Sequence, residues 1–259
     1  MARRAGALVL SLIAITGIGV ASATVVQDQG LRITVLSQIQ PFKLPRIKPA
    51  PIAVFVSGHI ATPSGALPPQ LQRMTIKVNR HGLLQSKGLP TCGAEEIRAT
   101  SSNRALSQCA DALVGSGRFY ATVVFPEQRP YPTRGRLLIF NGRVGRKAVL
   151  FAHIYTTNPF ASSFLITFAL KQIDQGPYGT ELSASLPRAL GNWGFVDRIK
   201  LTLKRKYPYK GKELSYFNAA CPAPSETKTT AFPLARASFY FAEHTPITLG
   251  VQKSCRVSE

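Results

Sequence analysis

Short apolar runs recur along this 259-residue chain from Ile52 to Val251, with turn-forming Gly, Pro and Asn between them. A strand sends successive side chains to opposite faces, so a two-residue period with one apolar set requires a sheet with one dry face. Met74-Thr-Ile76-Lys-Val78 is such a run, and Ile52-Ala-Val-Phe-Val56 is a continuous β-branched and aromatic one. Further strands are expected at Phe119 to Phe125, Leu137 to Phe140, Ala148 to Tyr155, Phe164 to Leu170, Thr180 to Leu186 and Val196 to Leu203. Leu214 to Ala219, Ala235 to Phe241 and Ile247 to Val251 complete the set. Pro63-Ser-Gly65 and Pro68-Pro69 mark turns, and Asn141-Gly142 predicts a hairpin because both residues tolerate positive φ. Many short strands with turn signals between them predict a mainly β fold, an antiparallel β-sandwich of jelly-roll-like or similar form.

One helical insertion interrupts the pattern. Ser101-Ser102 can cap a segment in which Leu106, Cys109, Ala110 and Leu113 recur at spacings of three and four. Gly115-Ser-Gly117 is expected to end it. Upstream, Pro41, Pro45, Pro49 and Pro51 alternate with Lys43, Arg46 and Lys48. Proline lacks the amide proton a ladder needs and holds the chain extended. Residues 24–50 are therefore read as a proline-rich basic lead with one strand at most, between Val25 and Ile39, and residues 51–259 as the β domain.

The amino terminus reads Met1-Ala-Arg3-Arg4, then an apolar run from Ala5 to Val20, then Ala21-Ser22-Ala23. A positive start, a short apolar core and an Ala-x-Ala end make a secretory signal peptide over residues 1–23, with cleavage expected after Ala23. The rival is an uncleaved amino-terminal anchor, although the run falls short of the roughly 20 residues a span requires. Export places Cys92, Cys109, Cys221 and Cys255 in an oxidising compartment, where an even count argues for two disulfides. Sequential pairing, Cys92 with Cys109 and Cys221 with Cys255, is favoured because each pair lies in one local unit. A zinc site is the competitor, but no Cys-x-x-Cys exists and no His stands at ligand spacing from a Cys. No metal and no cofactor are expected.

Lys and Arg number 32 against 12 acids, a formal charge of +20. Such a surplus attracts polyanions. For an exported chain the partners in view are an anionic envelope polymer, an anionic lipid surface or extracellular DNA, set against the plainer reading of a solvated basic surface. The densest positive stretch is Lys200-Leu-Thr-Leu-Lys204-Arg205-Lys206-Tyr207-Pro-Tyr209-Lys210-Gly-Lys212. Leu201 and Leu203 alternate with polar residues, so a strand should emerge into a basic hairpin whose cations grip a polyanion while Tyr207 and Tyr209 stack on rings. Against this stands an edge hairpin whose lysines block aggregation. Arg143, Arg146 and Lys147 form a second basic turn that adds to the patch if it shares the face.

Catalytic patterns are lacking. The acids are scattered, with only Glu95-Glu96 adjacent, and His59, His81, His153 and His244 fall in separate elements. No His-Glu-x-x-His or Gly-x-Ser-x-Gly motif is present, and Gly142-Arg-Val-Gly145 joins strands rather than opening a helix, which rules out a dinucleotide cradle. Trp193, between Asn192 and Gly194, is expected to plug the end of the sandwich rather than to form a sugar platform.

Leu137-Leu-Ile-Phe140-Asn-Gly-Arg143, Tyr207-Pro-Tyr-Lys-Gly211, Cys221-Pro-Ala-Pro224 and the stretch from Phe232-Pro-Leu-Ala-Arg236 to Ser254-Cys255-Arg256 carry a resemblance. Together they are similar to a group of uncharacterised predicted exported proteins of high-GC Gram-positive bacteria, over roughly Pro51 to Val257. No activity is attached to that group, so no catalytic residue carries over. The resemblance implies that Cys221 and Cys255 belong to one terminal β unit. The expectation is thus an exported non-enzymatic envelope or extracellular protein that associates with anionic polymers through a basic face. Two alternatives stand beside it: an extracellular hydrolase or transferase whose site assembles only in space, and a purely structural domain.

Overall fold

The computed structural model describes residues 22–186 and 194–258. Most of the expected signal peptide and Trp193 lie outside the described residues. In chain order the elements are β1 (Ser22–Asp28), β2 (Leu31–Gln40), β3 (Lys43–Leu44), β4 (Ala50–Pro51), β5 (Ala53–Ala61), β6 (Leu71–Asn79) and β7 (Gly82–Leu84). The helices α1 (Ala94–Ile97) and α2 (Ser102–Cys109) follow, then β8 (Leu113–Val123), β9 (Tyr131–Val144), β10 (Lys147–Thr156), β11 (Ser162–Gln175) and β12 (Tyr178–Ser185). The last are β13 (Gly194–Leu203), β14 (Lys206–Tyr209), β15 (Lys212–Ser215), β16 (Phe217–Ala219), β17 (Thr229–Phe241) and β18 (Ile247–Val257). The protein is mainly β, 63% strand against 7% helix.

Thirteen of the described strands join one curled sheet in the order β1-β2-β5-β13-β8-β9-β10-β11-β12-β6-β17-β18-β3. Every pairing in it is antiparallel except β18 with β3. The layers expected of a sandwich are opposite walls of this continuous sheet. Its inner face carries Leu137, Ile139, Leu150, Ala152 and Ile154 at one part and Leu31, Ile33, Phe239, Ile247 and Leu249 at another. Where the two margins of the sheet meet, the Lys253 ammonium on β18 donates to the Ser37 carbonyl on β2. The Gln29 amide at the β1–β2 turn donates to the Thr245 carbonyl at 3.2 Å and accepts from the Thr245 amide at 3.1 Å. One end of the curl is closed by two small sheets, β4-β16-β7 and β14-β15, whose Tyr207 and Phe217, with the neighbouring Ile52 and Tyr216, join the inner core.

Helices α1 and α2 cover the outer side of β9 and β10, where Leu138, Phe140, Val149 and Phe151 are buried beneath Ile97, Ala105 and Cys109. The Ser101 hydroxyl accepts from the Arg104 amide and so caps α2. Cys92–Cys109 staples this insertion and Cys221–Cys255 ties the β16–β17 connection to β18, the sequential pairing. The two disulfides fit an oxidising environment. Among the described residues no helix is long and apolar enough to cross a membrane.

Three local expectations are corrected. The lead is no tether: residues 22–40 form the β1–β2 hairpin, β2 pairs with β5 along nine residues, and Leu31 and Ile33 are fully buried. The turn is at Gln29-Gly30, both with positive φ, a signal the neighbouring prolines overshadowed. A cut after Ala23 would fall two residues into β1. The prolines themselves occupy the crossing to β4, where Arg46 donates to the carbonyls of Ala223, Pro224 and Thr227. Asn141-Gly142 is not the β9–β10 turn, which lies at Gly145, with φ of 58°. Gly142 sits in the strand because a Cβ there would strike the Phe151 ring, and the Asn141 amide donates to the Pro90 carbonyl at 2.9 Å. Gly115 and Gly117 do not end the helix, which stops at Cys109, but belong to β8. A Cβ at Gly117 would overlap the Lys200 carbonyl, so the glycine permits β13 to approach.

Candidate functional site

Residues directly opposite each other on paired strands share a face. Lys200 on β13 stands opposite Arg118 on β8, and Arg118 stands opposite Arg136 on β9. The next row reads Arg198, Tyr120, Arg134 on the same three strands. All five cations are exposed. Neighbouring strands lie about 4.8 Å apart and alternate residues along a strand about 6.8 Å apart. The result is a lattice of five positive charges on the outer wall, with one tyrosine in it. Like charges directly opposite destabilise a sheet, and none of the five enters an ion pair among the described residues. The acid at the margin, Asp197, accepts from the Thr122 hydroxyl at 2.8 Å. Burial pushes its carboxyl above the usual value, against the Thr122 hydrogen bond and the charges of His59 and Arg198.

The sequence singled out Lys200 to Lys212, and only Lys200 belongs to this lattice. Lys206 pairs with Glu213 at 2.7 Å, and Arg205 donates to the Asp111 carbonyl at 3.1 Å. Tyr207 offers no ring to a ligand: it is buried, and its hydroxyl donates to the carbonyls of Gln85 and Lys87. Burial raises its pKa, with Tyr209 adding to the effect. Tyr209 packs across Gly88, where a Cβ would overlap its ring. Lys210-Gly211 makes the hairpin turn, both at positive φ, and Lys204 and Lys212 are exposed. Arg143, Arg146 and Lys147 are exposed at the tip of the β9–β10 hairpin, not in the lattice rows. The missed residues did carry a signal. Arg134-Gly-Arg136 and Arg198-Ile-Lys200 each put two cations on one face of a strand.

A second feature lies on the outer wall beyond the helices, over β11, β12, β6 and β17. It is an open trough of about 860 Å³. Register builds it in rows. Lys171, Glu181, Lys77 and Arg236 face one another in sequence across the four strands. The adjoining row is Ala169, Ser183, Thr75 and Ser238, all short. In the third, Ser185 faces Arg73 and Arg73 faces Tyr240. The Arg73 guanidinium stacks over the Tyr240 ring, 4.0 Å from its centre. Lys77 reaches Glu181 at 3.9 Å. Long side chains thus wall a floor of hydroxyls. Ser238 shares a hydrogen bond with Thr248 at 2.7 Å, whereas Thr75, Thr167, Ser183 and Ser185 have no side-chain hydrogen bond among the described residues.

Acid–base chemistry finds little here. His153 is fully buried under the insertion; its Nε2 lies 3.0 Å from the Thr100 carbonyl, an acceptor only, so that nitrogen carries the proton. Ser163 lies 3.2 Å from the same nitrogen but donates to the Arg98 carbonyl, and no described histidine hydrogen-bonds a carboxylate. Burial holds the imidazole below its ordinary pKa, the Thr100 bond opposing. Cys92, Cys109 and Glu96 cluster closely, but the sulfurs are bonded to each other and the Glu96 carboxylate accepts from the Gly93 amide at 2.6 Å. Those sulfurs offer no thiolate to a metal. An apolar recess at the end of the curl opposite the small sheets, lined by Phe119, Val123, Phe164 and Val196, holds no charged side chain. Compared with family models, with curated proteins and with solved structures, the chain shows no match.

Proposed function

We propose that this is an exported, non-enzymatic protein of the envelope or extracellular space that binds an anionic polymer through the arginine lattice on β8, β9 and β13. The carrying observation is the direct register of Arg136, Arg118 and Lys200, like charges held together without an acid between them. That arrangement costs the sheet stability, and an anion laid across the three strands relieves it. Arginine predominates, and its planar fork binds carboxylate or phosphate through two hydrogen bonds. Export rests on the amino-terminal pattern, with removal of residues 1–23, and on the two disulfides.

The test is retention on immobilised polyglutamate over a salt gradient. Each neutralised anion releases a counterion, so engagement of all five cations gives a slope of roughly −3 to −4 in log K against log salt, taking the single-strand coefficient. A variant carrying Arg118→Glu, Arg136→Glu and Lys200→Glu is expected to elute with the unbound fraction. One carrying Lys206→Gln, Lys210→Gln and Lys212→Gln is expected to bind nearly as the wild type. Loss in the hairpin variant with retention in the lattice variant moves the site elsewhere; no retention of the wild type at low salt ends the reading.

A further inference from the structure

The trough over β11, β12, β6 and β17 plays no part in the proposal above, yet register builds it in ordered rows. Its floor runs across the strands, so a chain lying in it meets side chains and no free backbone edge. That geometry excludes recognition by strand addition, which requires an unpaired ladder. The floor offers hydroxyls, each able to donate and to accept. Four of them, Thr75, Thr167, Ser183 and Ser185, are unengaged by any described side chain or carbonyl. A ligand that satisfies such a floor has its own hydroxyls at short intervals. The walls add charge. Arg73 and Lys77 line the trough with the single acid Glu181, which is already joined to Lys77, and Lys171 and Arg236 continue the Glu181–Lys77 row at its two ends, beyond the lining. The Arg73–Tyr240 stack gives one wall a flat, partly apolar surface on which a ring can rest.

We infer that this trough holds a segment of an acidic polysaccharide, a sugar chain bearing carboxylate or phosphate groups. The inference rests on the polyanion reading and narrows it to sugar polymers. Hydroxyls of the ligand meet Thr75, Ser183 and Ser238, its rings lie against Arg73 and Tyr240, and its anionic groups face Arg73 and, past the lining, Lys171 and Arg236. The lattice supplies attraction without regard to the polymer's skeleton. The trough supplies the preference for sugar.

Polygalacturonate, polyglutamate of matched charge density and a neutral glucan serve as probes, with the wild type compared against two variants. One removes three of the floor hydroxyls with little change of shape, Thr75→Val with Ser183→Ala and Ser238→Ala; the other is the lattice triple variant, and thermal unfolding checks that both fold. The wild type is expected to bind polygalacturonate about tenfold more tightly than polyglutamate, and the floor variant to lose that difference while keeping its polyglutamate affinity. At about 1 M salt, where screening reaches only about 3 Å, residual polygalacturonate binding should survive in the lattice variant and vanish in the floor variant. Equal wild-type affinity for the two polyanions, or an unaltered floor variant, overturns the trough and leaves the lattice standing. A neutral glucan bound as tightly as polygalacturonate overturns the acidic character of the ligand. Failure of every polymer to bind removes both proposals.

Discussion

His153 sits where charge is least welcome, with Nε2–H committed to the Thr100 carbonyl and Nδ1 buried without a partner. The folded protein therefore keeps the ring neutral, while the unfolded chain takes up a proton near its ordinary value of about 6.5. Below that value the unfolded state binds more protons, so stability present at pH 7.5 falls as the pH drops through about 6.5. Denaturant titrations at pH 7.5 and about 5.5 should show the loss, and His153→Gln should flatten it; an unchanged pH profile in that variant assigns the dependence to other groups. At Gly117 the constraint is steric. Gly117→Ala places a methyl against the Lys200 carbonyl, and an overpacking cost of about 1–3 kcal/mol is expected by chemical denaturation, with polyanion binding weakened because β8 and β13 carry the lattice. Some of this scale was legible in the sequence. Arg134-Gly-Arg136 announces two cations on one face, but its meaning depends on which strands stand beside it, and strand register across distant segments leaves no local mark.

At the scale of elements, the hairpin β1–β2 shows how a correct local rule misled. Prolines at 41, 45, 49 and 51 do interrupt regular structure, yet the interruption begins only after Gln40. The residues before it alternate, with Leu31, Ile33 and Ser37 inward. Ile33→Ala is accordingly expected to cost about 2–5 kcal/mol, where a tether position would change stability by less than about 0.5 kcal/mol; thermal or denaturant unfolding separates the two. The longer strands were placed but read short, β9 running Tyr131–Val144 where Leu137 to Phe140 was expected, and Leu214 to Ala219 is divided between β15 and β16; alternation marks where a strand lies but not where pairing ends. Both disulfides were legible for a related reason: each closes a short loop. Cys92→Ser with Cys109→Ser opens a loop of 17 residues, with an expected loss of about 3 kcal/mol in the chain-entropy model. Protection of Val149 and Phe151 amides against hydrogen exchange should fall with it, since the helices lose their staple.

Outside the patch of β9 and β10 that the helices cover, the described sheet turns most of its charge and hydroxyls outward and its apolar residues inward, the reverse of a barrel that spans a membrane. With a formal charge of +20 it also repels itself. Raising salt from about 0.01 M to about 0.1 M shortens the screening length from about 30 Å to about 10 Å, and the thermal midpoint is expected to rise by several degrees; a midpoint that falls instead would show that attractive pairs dominate the surface. Sheet order was the least legible property, since β5 pairs with β13 and β17 enters between β6 and β18. Those choices are made by distant segments matching faces. The meeting of the two margins has a consequence for how the protein is made. A ribosome delivers Leu31 and Ile33 long before the wall that shelters them, Ile247 to Val251. Until that wall is made the β1–β2 hairpin waits with its greasy side bare, so nascent chains need shielding by a helper, and products cut short before Ile247 are left as prey for proteases.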